Sequence, residues 1–135
     1  MSFSIHINHE KQLLYVEGQG MITAADIDQY YPSLKAVSGI EHCDKALVNL
    51  AEMGVSLKAA PIKRIRSLGL LFKHGPVLPE GAKIAIVVRS TLAFGFVRLF
   101  MASRGERVTI RPFKSMQQAM YWLSIVEQDV LQAKL

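Results

Sequence analysis

The sequence predicts an α/β fold: one mixed sheet that opens with an antiparallel hairpin and continues through strands joined by crossover helices, flanked by helices. Three observations carry this. "FSIHINH" alternates Phe3, Ile5 and Ile7 with Ser4, His6 and Asn8, and "QLLYVEGQG" follows after the polar turn "NHEK", which is hairpin patterning. "KALVNL" and "KIAIVV" are short and largely apolar, as strands covered on both faces are. Helix-period segments separate the later strands, and such alternation implies parallel crossovers.

Each helix has its own signature. "TAADIDQYYPSLKAV" starts with Thr23 as N-cap and Asp26 three residues on, an approximate capping box. Ile27, Tyr30 or Tyr31, Leu34 and Val37 share its apolar face, and Pro32 is expected to bend or divide it. The second helix is expected from Lys58 to His74, with Pro61 in its first turn. Pro61, Ile62, Ile65, Leu68 and Phe72 form its apolar face, and Leu70 and Leu71 fall on the flanks of the polar side. "GPVLPEGA" is a loop. "TLAFGFVRLFMAS" is the third helix, "RVTIRPF" the last strand, and Ser115 with Gln118 caps a final helix running to the end of the chain. Ala119, Trp122, Leu123, Val126 and Val130 form its buried stripe.

At 135 residues the chain is read as one domain, residues 1–135, without repeats or linkers. Half the residues are hydrophobic and 20% are charged, a globular composition. No stretch approaches the ~20 apolar residues that span a bilayer, and the start lacks the pattern of a signal peptide. The single cysteine, Cys43, permits no internal disulfide, so a cytoplasmic setting is expected. The net charge of +5 has one local concentration, at Lys58, Lys63, Arg64 and Arg66. No aromatic residues interleave it, so a nucleic-acid partner is not expected.

A search for chemistry returns little. His6 and His9 point to opposite faces, and no helical His-Glu-x-x-His or cysteine pair is present, so no metal is expected. There is no nucleophile elbow, P-loop or dinucleotide fingerprint, and no cofactor is expected. Asp44 beside Cys43 raises the thiol pKa rather than activating it. Glu52 and Asn49 stand at the carboxyl end of a strand, where α/β folds place ligands, but they form no catalytic constellation.

The third helix is unusual. Leu92, Ala93, Phe94, Phe96, Val97, Leu99, Phe100 and Met101 cover more than half its circumference, whereas a surface helix needs an apolar arc of roughly 100°. Either the helix is sandwiched inside the fold or it presents an apolar patch; in so small a domain the expectation is the patch, including Phe94, Val97 and Met101, with Leu70 and Leu71 of the second helix also partly exposed. Arg98, on the narrow polar side, is placed to hold an acidic group.

"LLYVEGQGMITAADIDQYYPSL", "KALVNLAEMGVSLKA", "KIAIVV", "FGFVRLF" and "IRPFKSMQQAMYWL" together resemble the SpoIIAA-like, STAS-type proteins of bacteria, in order and spacing from about Leu13 to Leu123. The resemblance implies a mixed sheet flanked by helices and a non-enzymatic, regulatory or ligand-binding role. In STAS anti-sigma antagonists a phosphorylated serine follows the central strand within an Asp-Ser-Ser-Gly-like stretch. Here the matching region is "NLAEMGVSLKAA", with Ser56 nearest that position, no Asp-Ser-Ser pattern, and Asn49 where relatives often carry an aspartate. Ser56 is therefore read as a helix cap or as a phospho-switch, with Lys58 near enough to pair with a phosphate.

Three functions follow for comparison. The first is a regulatory module that docks a protein partner, or a second copy of itself, through the second and third helices. The second is a carrier or sensor of an apolar, lipid-like small molecule held between the third helix and the sheet, with Arg98 at its acidic end. The third is an enzyme using Glu52 and Asn49.

Overall fold

The structure is a computed structural model that describes residues 2–56, 58, 62–105 and 107–135. Its elements are β1 (Ser2–Asn8), β2 (Leu13–Met21), α1 (Ala24–Lys35), β3 (Lys45–Gly54), α2 (Ile62–His74), β4 (Lys83–Val87), α3 (Thr91–Arg104), β5 (Thr109–Phe113), α4 (Met116–Leu123) and α5 (Glu127–Ala133), with a 3-10 turn at Ile40–His42 before β3. The strands form one sheet in the order β1-β2-β3-β4-β5. β1 pairs antiparallel with β2, and the remaining neighbours are parallel. The predicted mixed sheet with its N-terminal hairpin is the observed one.

Sequential strand order has a consequence for the layers. Right-handed crossovers that step in one direction across a sheet put their helices on the same face. The side-chain clusters agree. Leu14, Val16, Ala46, Val48 and Ile86 face Tyr31, Leu34, Phe72 and Val97 of α1, α2 and α3. Their strand neighbours Leu13, Tyr15, Leu47, Ala85 and Val87 point the other way, against Ala119, Leu123 and Val130 of α4 and α5. Period-two alternation thus splits one sheet between two cores.

Several boundaries differ from expectation. Thr23 does form a capping box with Asp26, and α1 continues through Pro32 to Lys35 as one helix. The burial of Ile27, Tyr31 and Leu34 on either side of Pro32 holds the helix together against a proline penalty of ~3 kcal/mol. β3 runs on to Gly54 because β2 does too: after a bulge, Gln19, Gly20 and Met21 pair with Glu52, Met53 and Gly54. α2 is described from Ile62, and residues 59–61, between the expected start at Lys58 and that point, lie outside the described residues together with the expected first-turn place of Pro61.

The final helix is two. Ser124 takes a left-handed conformation (φ 58°) and ends α4, and the Val126 amide donates to Asp129 Oδ2 at the start of α5. Val126 is consequently 63% exposed instead of part of a buried stripe.

α2 and α3 lie close together. A β-carbon at Gly69 would collide with Ser103 and the Phe100 carbonyl, so glycine is what lets the helices approach here. Two further contacts tie the layer: Arg64 pairs with Asp28 between α2 and α1, and the Tyr31 hydroxyl donates to the Gly75 carbonyl.

Candidate functional site

The two-sided burial of α3 decides what it can do. Ala93, Phe96, Val97 and Arg104 are buried, and Phe94, Phe100 and Met101 pack against the core as partly buried residues. The expected exposed patch is therefore corrected. Val97 is 6% exposed and faces inward, because α2 covers the side of α3 that the sheet does not. Leu70 and Leu71, by contrast, stand nearly half exposed, at 46% and 47%.

Between this helical layer and the sheet lies a cavity of about 130 Å³. Strands contribute Leu14, Val48 and Ile86; α1, α2 and α3 contribute Leu34, Phe72 and Phe96 among others. Its walls are almost wholly apolar. The polar exceptions are Tyr30 and Arg104.

Arg104 closes α3. Ala93, Phe96, Val97, Phe100 and Arg104 recur at three- and four-residue spacings, so the arginine occupies the last place on the buried stripe. It is 5% exposed. The guanidinium carbon lies 5.4 Å from the ring centre of Phe72 and 5.8 Å from that of Phe100, both cation–π distances. Nε and Nη1 are buried with no hydrogen-bond partner among the described residues. Burial pushes the arginine pKa down, and Tyr30 opposes that shift. The helix C-terminus also favours a cation. Burial pushes the Tyr30 hydroxyl pKa up, so it stays a proton donor, and Arg104 opposes that shift.

The residues expected to carry function are scattered. Arg98 is exposed and stacks over Phe94 (5.5 Å), so it does not reach the cavity. The cavity's cation is Arg104, six residues further along. Asn49 donates to the Tyr15 hydroxyl (3.2 Å) and accepts from the Ala51 amide (3.2 Å), while Glu52 pairs with Arg89 (3.2 Å) at the surface. They do not converge. Ser56 accepts from the Lys58 amide (3.3 Å) in the segment before α2, and Lys58 is exposed. The residues between Lys58 and Ile62 lie outside those described, and the bond from the Lys58 amide two residues on is one that a turn and a helix N-cap share.

No group of three or more metal-ligating side chains occurs among the described residues. Cys43 is buried, and its thiol is pushed up to about 11 by burial, then by Asp44 and Glu41. No helix described is long and apolar enough to cross a membrane.

An uncharacterized protein of the DUF3478 family from Shewanella loihica PV-4, whose crystal structure has a SpoIIAA-like fold, superimposes on this chain with a TM-score of 0.54. The two are 25% identical, over 90% of this chain and 94% of the other. This chain has a SpoIIAA-like fold. The mixed sheet flanked by helices is what the sequence resemblance implied. No family model matches the chain, and no curated protein matches it.

Proposed function

We propose that this SpoIIAA-like chain is a non-enzymatic binding module that holds an apolar small molecule between its α1–α3 layer and the sheet. The observation that carries the reading is the cavity of about 130 Å³ with nearly all-apolar walls. An engineered apolar cavity of ~150 Å³ stays dry and takes up benzene, so this volume suits a ligand. A void of this size also removes packing contacts from its lining, and a guest restores them.

Two measurements test it. Thermal melts with toluene and hexanol should show a concentration-dependent rise in Tm, as binding to the native state alone requires. Ala93→Leu, which extends a side chain from α3 toward the cavity, should remove that rise. Native mass spectrometry of the purified protein should show a co-purified small mass. No Tm response to either compound and no added mass would overturn the reading.

The exposure of Leu70 and Leu71 beside Lys73 favours a second reading, docking of a protein partner or a second copy through α2. In that reading a phosphate on Ser56, next to Lys58, acts as the switch. Light scattering that gives a monomer at high concentration would remove the homo-oligomeric form. In either reading the protein acts in the cytoplasm, on the ground of its single, unpaired cysteine.

A further inference from the structure

We propose that the cavity takes a small apolar monocarboxylate, its carboxylate on the guanidinium of Arg104 and its tail along α3 toward Phe96. This rests on the reading that the cavity is a ligand site, and it names the ligand class. Arg104 is an anomaly without such a ligand. Folded proteins leave few buried polar atoms unpartnered, and a buried charge without a counter-charge is among the costliest. Nε and Nη1 are both buried and unpartnered among the described residues. The ion pairs formed by described residues involve other cations: His42, Lys45, Arg64, Arg89 and Lys134. Phe72 and Phe100 meet the guanidinium through their rings, and neither ring accepts an N–H in the way an oxygen does.

The chemistry of the missing partner follows from the donors. Guanidinium is planar and presents its N–H groups along edges that match the two oxygens of a carboxylate. Tyr30 lines the same cavity and supplies a protonated hydroxyl. One buried cation neutralises one negative charge. A phosphate monoester, nearly dianionic at neutral pH, would leave excess charge among apolar walls. Size limits the tail. A cavity of about 130 Å³ admits an aromatic ring or a short acyl chain. Phe96 lies about 12 Å from Arg104 along the helix axis, so the space runs lengthwise beneath α3.

Isothermal titration with octanoate, octanol, octylamine and octyl phosphate tests this on the full chain. Octanoate should bind at least tenfold tighter than octanol, and octylamine and octyl phosphate should bind more weakly than octanoate. Arg104→Met should bring octanoate down to the octanol value while leaving octanol within about twofold. Arg104→Lys should recover part of the difference. Equal binding of octanoate and octanol by the wild type would overturn the assignment and leave the apolar-site reading standing, as would tighter binding of octyl phosphate. Binding of none of the four would overturn both. If Arg104→Met does not fold, the wild-type comparison decides alone.

Discussion

The two faces of the sheet solve the burial of polar groups differently. On the α4–α5 face, Asn8 is 5% exposed and donates to the Asp129 carbonyl (2.9 Å), and Asp129, 8% exposed, accepts from the Val126 amide (3.0 Å). Asn49 and Tyr15 bond to each other on the same face. Glu17 and Lys134 close its rim with an ion pair (3.3 Å). On the α1–α3 face the buried polar group is Arg104, and two of its nitrogens lack partners. Among the described residues, the buried polar side chains of one face are partnered, whereas the other face keeps a cavity and an unmatched charge. The proposed binding role accounts for the difference, because sites often trade stability for function.

Side-chain truncations should show the contrast most strongly. Leu47, 0% exposed and enclosed by α4, should cost about 4–5 kcal/mol as Leu47→Ala, the upper part of the range for a Leu→Ala cavity. Leu34 already borders a void, so Leu34→Ala should cost only about 2–3 kcal/mol. Urea melts measure both, and equal losses would erase the distinction between the faces.

Polar deletions should differ in sign. Asn8→Ala strands the buried Asp129 carbonyl and should destabilise by about 1–3 kcal/mol. Arg104→Met exchanges an unmatched buried charge for an apolar chain and should leave stability unchanged or raise it by about 1 kcal/mol or more. A loss from Arg104→Met as large as that from Asn8→Ala would mean that the arginine has a structural partner.

A pH effect separates burial from function at Cys43. Its pKa is raised from the ordinary 9.0 to about 11, so the folded protein keeps the proton where the unfolded chain loses it. The thiol's contribution is complete below about pH 9 and is lost progressively between 9 and 11. Stability measured across that window should therefore fall less steeply in Cys43→Ala than in the wild type. Tyr30, shifted in the same direction, contributes a slope of its own that this substitution leaves in place. An unchanged slope would show that the thiol titrates normally.

The smallest effect is expected at Ser56. A hydroxyl whose partner among the described residues is the Lys58 amide, at 3.3 Å, should contribute less than about 0.5 kcal/mol as a turn residue, so Ser56→Ala should melt almost as the wild type does. A loss of 1 kcal/mol or more would identify it as a helix cap.

The sequence by itself made legible the hairpin, the order of strands and helices as far as α4, and the apolar residues of each strand. These are properties of local period and of caps such as Thr23 with Asp26, and a chain can express them without knowing its neighbours. It also contained the signal for Arg104, as a charged residue in step with Ala93, Phe96, Val97 and Phe100, once the helix is allowed to run one residue past Ser103. Only the tertiary structure decided which of two arginines, Arg98 or Arg104, turns inward. α3 is apolar over most of its circumference, so its wheel has no single buried face; the close approach of α2 at Gly69 selects one. The same applies to Pro32, whose helix survives because packing outweighs a local penalty, and to β3, whose length depends on what β2 offers it to pair with. Local pattern sets which surfaces are apolar, whereas close packing between elements sets which of them meet, and where a gap remains.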